Sequence, residues 1–112
     1  MGEREQRFAR NEAAYREVNE AIHAGRSDSD EDPPRPFACE CGRLGCNSLV
    51  ELTLAEYEAV RDSARRFFMV DGHEIPDIER VVERAPRYIV VEKLGEEARI
   101  AEDLDPRGNG SG

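Results

Sequence analysis

Residues 37–47 read FACECGRLGCN and contain all three cysteines of the chain, Cys39, Cys41 and Cys46. Zinc binds thiolate sulfur at about 2.3 Å in a tetrahedron, so the sulfurs of one site lie within about 4 Å of one another. Gly42 and Gly45 permit the tight turns that such a loop needs, because glycine adopts positive φ without a steric penalty. The Cys-x-Cys-x4-Cys spacing therefore predicts a loop that folds around one zinc ion.

Two other interpretations of the cysteines stay open. Buried cysteines can be inert, because they behave as small hydrophobic side chains, and exposed thiolates can form a redox switch. Glu40, Arg43 and Asn47 make this a poor core segment and a suitable metal loop. Arg43 would also offset the negative charge of three thiolates on one divalent ion. We therefore expect Zn²⁺ as the cofactor, at a structural site.

A structural zinc site needs a fourth ligand, and the chain offers two histidines. His23 lies in the last turn of a predicted helix, where an imidazolium favours the helix dipole, and a linker separates it from the cysteines. His73 follows a turn after a predicted strand, 67–70. If that strand runs antiparallel to strand 49–52, His73 returns toward the metal loop, whereas a parallel pair places it at the far end. The predicted ligands are Cys39, Cys41, Cys46 and His73.

Residues 3–24 are predicted to form an amphipathic helix that stops at Gly25. Its apolar seam follows heptad spacing and includes Asn11, a residue that can fix the register between paired helices. The seam either packs on the rest of the domain or pairs with another helix. We expect the second, so that the helix lies apart from the zinc core and remains dispensable for its folding. The predicted partner-binding residues are Phe8, Tyr15, Val18 and Ile22.

Composition divides the rest of the chain into three parts. Residues 26–36 are rich in serine, aspartate and proline and are predicted to form a flexible linker after the helix of residues 1–25. Residues 37–104 should form the zinc-binding domain. The last segment, 105–112, ends in GNGSG and is predicted to be a disordered tail.

The predicted fold class is α+β, with a short antiparallel sheet and one or two helices in the zinc-binding domain. Thr53 and Glu56 form a capping box that starts a helix at Leu54. Residues 78–84 suit a short helix or a strand equally well, and one or two helical turns are expected after Glu96. The predicted strands span residues 37–40, 49–52, 67–70 and 88–93.

Charge and hydropathy restrict the function classes. The net charge is −9, from 25 acidic and 16 basic residues, which argues against nucleic acid as the main partner. Arg61, Arg65 and Arg66 are the one basic cluster that would support that class. No apolar run approaches the ~20 residues that cross a bilayer, and residues 1–10 lack a signal-peptide core. We therefore expect a cytoplasmic protein, where clustered cysteines more often bind metal than pair.

Three functions stay open on this basis: a protein-interaction or regulatory module, a zinc–thiolate redox sensor, and a nucleic-acid-associated factor. The first explains the separate helix and the charge without catalytic groups, so we prefer it. The sequence contains neither H-E-x-x-H nor G-x-S-x-G, and we lean away from an enzyme and predict no catalytic residue.

The runs FACECGRLGCNSLVELTLAEYEAVR, FFMVDGHEIPDIERVVER and YIVVEK give the chain a resemblance to a known group. It resembles small uncharacterised bacterial proteins that are common in actinobacteria, over most of residues 8–93. The resemblance implies the same four-ligand site, on the three cysteines and His73, but no activity. The segment 85–87 departs from the Asp-Gly turn of that group, so the resemblance does not decide whether a hairpin forms there.

Overall fold

A computed structural model describes residues 3–25, 32–43 and 45–107. The predicted linker falls mostly outside these residues, and the GNGSG end lies outside them altogether. The elements are α1 (Glu3–Ala24), β1 (Arg35–Ala38), β2 (Leu49–Leu52), α2 (Leu54–Arg61), β3 (Arg66–Met69), β4 (Glu79–Arg84), β5 (Ile89–Lys93) and α3 (Gly95–Asp103). This order confirms the α+β class.

The strands form two antiparallel sheets. In one, β1 pairs with β2, and Phe37 lies opposite Val50. The other has the order β3-β5-β4. The ambiguous segment 78–84 is largely strand, since residues 79–84 pair with β5. The amide of Ala85 donates to the carbonyl of Tyr88 at 2.9 Å and closes the hairpin between the two strands. Valine and isoleucine fit such a half-buried, pleated surface well.

Within the described residues, strands β2 and β3 do not pair with each other: they lie in different sheets, and β3 pairs with β5. Neither sequence alternative for the 49–52 and 67–70 strands therefore determines where His73 lies. The chain just after β1 makes the connection instead: the amide of Glu40 donates to the carbonyl of Phe68 at 3.1 Å. This bond brings the start of the metal loop against β3.

Helix α2 begins with the predicted capping box. The Thr53 hydroxyl accepts from the amide of Glu56 at 3.0 Å, and the Glu56 carboxylate accepts from the amide of Thr53 at 2.8 Å. The carboxylate of Asp32 accepts two further amides, those of Leu54 and Ala55, at 2.8 and 3.0 Å. The four free amides of a helix start need such partners, and here all four have one.

An aromatic cluster joins both sheets to α2. The rings of Phe37 and Tyr57 stack at 4.6 Å, and Phe68 meets them edge-on at 6.1 and 6.0 Å. Tyr88 continues the cluster at 6.5 Å from Phe68. These side chains are buried, and aromatic groups of this size dominate the energetics of a small core.

Helix α1 packs on this core, in contact with α3 and β1. The expectation that it lies apart from the core is therefore wrong. The buried side chains form a mostly polar face: Ala9, Glu12, Ala13, Arg16 and Asn19. Apolar periodicity could not reveal that face. The predicted stripe lies beside it: Val18 is 48% exposed, while Phe8, Tyr15 and Ile22 are half-buried. Partner binding through this stripe stays a prediction.

Each charged side chain on that face has a buried partner. The guanidinium of Arg16 donates to the carbonyls of Ala64 and Ala101, each at 2.6 Å, and stacks on Phe67 at 4.3 Å. The carboxylate of Glu12 pairs with the ammonium of Lys93. Burial raises the pKa of Glu12, and the nearby Lys93 opposes that effect. A helix that buries charge in this way needs its partners in place, because an unpaired buried charge is costly.

The predicted segment boundaries stay predictions, although contacts cross each of them. Strand β1 begins inside the predicted linker, and Asp105 of the predicted tail pairs with Arg61. Within the described part of the chain, no helix has the length and apolar character to cross a bilayer.

Candidate metal centre

The structure brings the four predicted ligands together. One donor atom from each of Cys39, Cys41, Cys46 and His73 lies within 4.8 Å of all the others. The Nδ1 atom of His73 is 3.6 Å from the sulfur of Cys39 and 3.8 Å from that of Cys46. In a tetrahedral zinc site, bond lengths of about 2.3 and 2.0 Å separate sulfur from nitrogen by roughly 3.5 Å. The donor set and its spacing therefore fit a metal ion of that size.

The three cysteines occupy the connection between β1 and β2. Cys39 follows β1 directly, and Cys46 lies just before β2. Gly42 and Gly45 have φ values of +73° and +81°, which residues with a Cβ atom rarely adopt. The amide of Cys46 donates to the carbonyl of Arg43 at 3.1 Å and tightens the turn. Two glycines thus fold a short segment until its three sulfurs converge.

His73 reaches the sulfurs from the turn that ends β3. Its amide donates to the carbonyl of Val70 at 3.0 Å, and Gly72 in between has a φ of +97°. Arg43 of the metal loop donates from Nε to the carbonyl of His73 at 3.3 Å. The bond of Glu40 to β3 therefore sets the loop and this turn side by side, a long-range pairing that the sequence did not reveal.

Backbone amides support the sulfurs. The amide of Val70 donates to the Cys39 sulfur at 3.3 Å. A hydrogen bond from the Cys39 thiol, together with the amide of Arg43, lowers the pKa of Cys41 to about 5. The same bond to Cys41, followed by burial, raises the pKa of Cys39. The loop therefore stabilises negative charge on the Cys41 sulfur, and the thiolate is the form that binds metal.

The site is buried on one side and accessible on the other. Cys39 and Cys41 are 2% and 0% exposed, whereas Cys46 and His73 are half-buried. An ion held here would have two ligands in the protein interior and two near solvent. That asymmetry determines which cysteine an external reagent meets first.

Helix α1 holds the loop through Asn11 and Tyr15, for which the sequence predicts other roles. The Nδ2 group of Asn11 donates to the carbonyl of Gly42 at 3.1 Å, and the hydroxyl of Tyr15 donates to the carbonyl of Cys46 at 3.4 Å. Asn11 was interpreted as a register-setting residue between helices. A polar residue in an apolar seam indicates that its side chain has a specific partner. Hydrophobic periodicity does not reveal that this partner is the backbone of the loop.

Asn19 binds the strand that leads into the loop. Its side-chain amide accepts from the amide of Ala38 at 2.7 Å and donates to the carbonyl of Ala38 at 2.8 Å. Asn19 also donates to the carboxylate of Glu40 at 2.8 Å, and Glu40 accepts from the amide of Phe68 at 3.3 Å. Burial raises the pKa of Glu40 to about 7 despite these bonds. The loop is thus tied to α1 at its entrance.

The remaining sequence candidates lie elsewhere. His23 pairs with Glu58 at 2.8 Å and packs on the ring of Tyr57, so it is not part of the sulfur cluster. The three arginines that could have formed a basic patch are each ion-paired. Arg61 contacts Glu20 and Asp105, Arg65 contacts Glu102, and Arg66 contacts Glu92.

No protein-family model matches the chain, and neither the curated proteins nor the solved structures give a significant match. What is shown is an α+β protein with a cysteine–histidine cluster that could hold a metal ion.

Proposed function

We propose that the chain is a zinc protein in which Cys39, Cys41, Cys46 and His73 bind one structural Zn²⁺ ion. The observation that carries the proposal is the convergence of three sulfurs and one imidazole nitrogen within 4.8 Å. Soft sulfur and imidazole donors in a tetrahedral set favour zinc over hard cations. Four protein ligands leave no open position for a substrate, which is the arrangement of structural rather than catalytic zinc.

The ion would join the two sheets. Its cysteines lie on the connection between β1 and β2, and His73 lies on the turn after β3. The apolar fraction of the chain is 38%, and a core of that size gains from a metal staple. Binding free energy at such a site is folding free energy, because the unfolded chain does not hold the ligands together.

Within this proposal the chain acts as a protein-interaction or regulatory module in the bacterial cytoplasm. None of its three cysteines is in a disulfide, as expected in a reducing compartment. The net charge of −9 favours a protein partner over nucleic acid. The surface we propose for that partner is the α1 stripe, in which Val18 is the most exposed member.

Elemental analysis of protein purified with zinc supplied tests the metal site. We expect about one zinc per chain and thiols that react only after a chelator is added. His73→Ala should retain less metal against a chelator, and Cys41→Ser should retain almost none. His23→Ala is the matched control, since its ring pairs with Glu58. A metal content near zero with freely reacting thiols would refute the site.

A second function, zinc–thiolate redox sensing, has one observation in its favour: Cys46 is half-buried while the other two cysteines are enclosed. A peroxide would oxidise the Cys46 thiolate to a sulfenate and leave as water or hydroxide. The thiolate of a second cysteine would then attack the sulfur of the protonated sulfenic acid and expel its oxygen as hydroxide, and the resulting disulfide would remove two ligands from the metal. Zinc release in step with disulfide formation at low peroxide would support this function. Release only after extensive oxidation would refute it.

A further inference from the structure

The N-terminal half of α1 covers the loop of the proposed zinc site. We call residues 8–15 the cover. Its Asn11 and Tyr15 donate to two loop carbonyls, those of Gly42 and Cys46. The backbones also meet closely: a Cβ on Gly42 would lie 2.7 Å from Cγ of Glu12 and 2.8 Å from a carbonyl of α1. The cover thus lies over the segment that joins the second and third cysteines.

The C-terminal half of α1 is held by other parts of the molecule. We call residues 16–24 the anchor. Arg16 donates to carbonyls after α2 and near the end of α3, Glu20 pairs with Arg61, and His23 pairs with Glu58. Asn19 of the anchor also binds Ala38 of β1 and the carboxylate of Glu40, at the entrance of the loop, whereas the partners of Arg16, Glu20 and His23 lie outside it. The cover therefore depends on the part of the loop between Cys41 and Cys46, whereas the anchor depends mainly on the chain after α2, on α2, α3 and β1.

The interface beneath the cover buries little apolar side chain. Its buried apolar residues are alanines 9 and 13, which contribute little on burial. A groove of about 180 Å³, open to solvent, runs between the cover and the loop and is lined by Asn11, Ala14, Tyr15, Gly42 and Arg43. If the cover left, Lys93 would keep Glu79 as a counter-charge at 2.8 Å. Docking of the cover thus depends mainly on how the loop presents its carbonyls.

We propose that metal binding and docking of the cover are one coupled event, so that loss of the metal frees residues 8–15 while the anchor and the sheet β3-β5-β4 stay folded. The inference rests on the proposed zinc site. The ion fixes the loop so that the carbonyls of Gly42 and Cys46 face α1, and the cover then shields the buried side of the site. Coupling is reciprocal, so the cover must strengthen zinc binding by the same factor.

Hydrogen–deuterium exchange of the full-length protein tests the first half of this coupling. On adding a chelator to zinc-loaded protein, exchange of the amides of residues 9–15 should accelerate at least about tenfold more than exchange of the amides of residues 19–23 and of β5. Unchanged exchange in the cover, in a protein that does bind zinc, overturns the coupling and leaves the zinc site intact. Equal acceleration in β5 also overturns it, because metal loss would then loosen the whole fold equally and would not release the cover first. A protein without zinc overturns both.

Zinc affinity of full-length variants tests the reciprocal half. Asn11→Ala and Tyr15→Phe each remove one hydrogen bond to the loop, and each should weaken zinc binding about five- to tenfold in competition with a colorimetric chelator. Tyr15→Phe keeps the ring, so the helix and its packing are preserved. Glu17→Ala, at an exposed position of α1, is the matched control and should bind like wild type. Wild-type affinity in the double variant Asn11→Ala/Tyr15→Phe overturns the coupling.

Discussion

At the scale of single residues, glycines 42 and 45 are required for different reasons: both have a backbone conformation that favours glycine, and only Gly42 also lies against α1. Both have positive φ, +73° and +81°. A Cβ at position 42 would collide with α1 at 2.7 Å, whereas at position 45 it would meet nothing within 4 Å. The sequence predicts that both glycines permit turns. It does not predict that one of them also admits a helix, because that contact joins residues far apart in the chain.

Gly42→Ala should therefore destabilise the protein more than Gly45→Ala. Either alanine in a left-handed conformation costs about 1–2 kcal/mol. At position 42 the collision with Glu12 adds overpacking strain, typically another 1–3 kcal/mol, and displaces α1 from the loop. Urea denaturation of both variants with zinc present measures the difference. Equal loss of stability at the two positions would contradict this packing.

Glu20 gives a prediction about pH. Burial alone would raise its pKa, but hydrogen bonds from Arg107 and Tyr57 and the charge of Arg61 lower it to about 2, from an ordinary value of 4.5. A depressed carboxyl pKa contributes stability above the unfolded value and loses it as pH falls through the folded value. The difference in unfolding free energy between wild type and Glu20→Gln should be greatest above pH 5 and shrink between about pH 4.5 and 2.

The matched control for that experiment is Glu17→Gln, at an exposed position of the same helix. Its difference from wild type should be small at every pH. Acid also displaces zinc from both proteins, so comparison of each variant with wild type at the same pH removes that contribution. A constant difference for Glu20→Gln across the range would mean that the pairing with Arg107 and Arg61 contributes no stability.

At the scale of elements, local signals were sufficient where structure is local. The capping box at Thr53 predicted the start of α2, and the β-branched run in 88–93 predicted most of β5. The pairing of β3 with β5 was not predictable, because the alternation of apolar and polar residues in a short strand does not indicate which strand it pairs with. The packing of α1 was missed for a different reason: its buried face is charged, and hydropathy assigns charged residues to solvent.

The start of α2 should depend on its cap. Thr53→Ala removes the hydroxyl that accepts from the amide of Glu56, and such a loss costs about 1 kcal/mol. The expected cost is at the low end, because the Asp32 carboxylate still accepts from two neighbouring amides. Adding Asp32→Ala should therefore cost more than the sum of the two single changes. Chemical denaturation of the single and double variants measures this coupling, and strict additivity would contradict a shared cap.

At the scale of the whole molecule, the four ligands could be named from the sequence, but the route that unites them could not. Cysteine spacing and a turn histidine were enough to identify the set. The fold unites it through the bond between Glu40 and Phe68 and through α1, whose side chains bind Ala38, Gly42 and Cys46. The candidate centre is thus a junction of both sheets and one helix.

A metal at such a junction should control the stability of the whole chain. A ligand that binds only the folded state at 100 times its dissociation constant stabilises it by about 2.7 kcal/mol. For a chain of this size that corresponds to a rise of roughly 10 °C or more in the melting temperature. Differential scanning calorimetry with zinc or with chelator measures the shift, and Mg²⁺ should produce none because it prefers oxygen ligands. The shift should be smaller in His73→Ala.

The side chain of Asn19 has a consequence for self-association. It occupies the amide and carbonyl of Ala38 that point away from β2, and Pro36, two residues earlier on the same edge, has no amide hydrogen to offer. Open strand edges are templates on which further chains assemble into aggregates. One asparagine on α1 therefore keeps this edge closed to foreign strands. A chain that cannot seat its helix should be prone to precipitation, even with its apolar core intact.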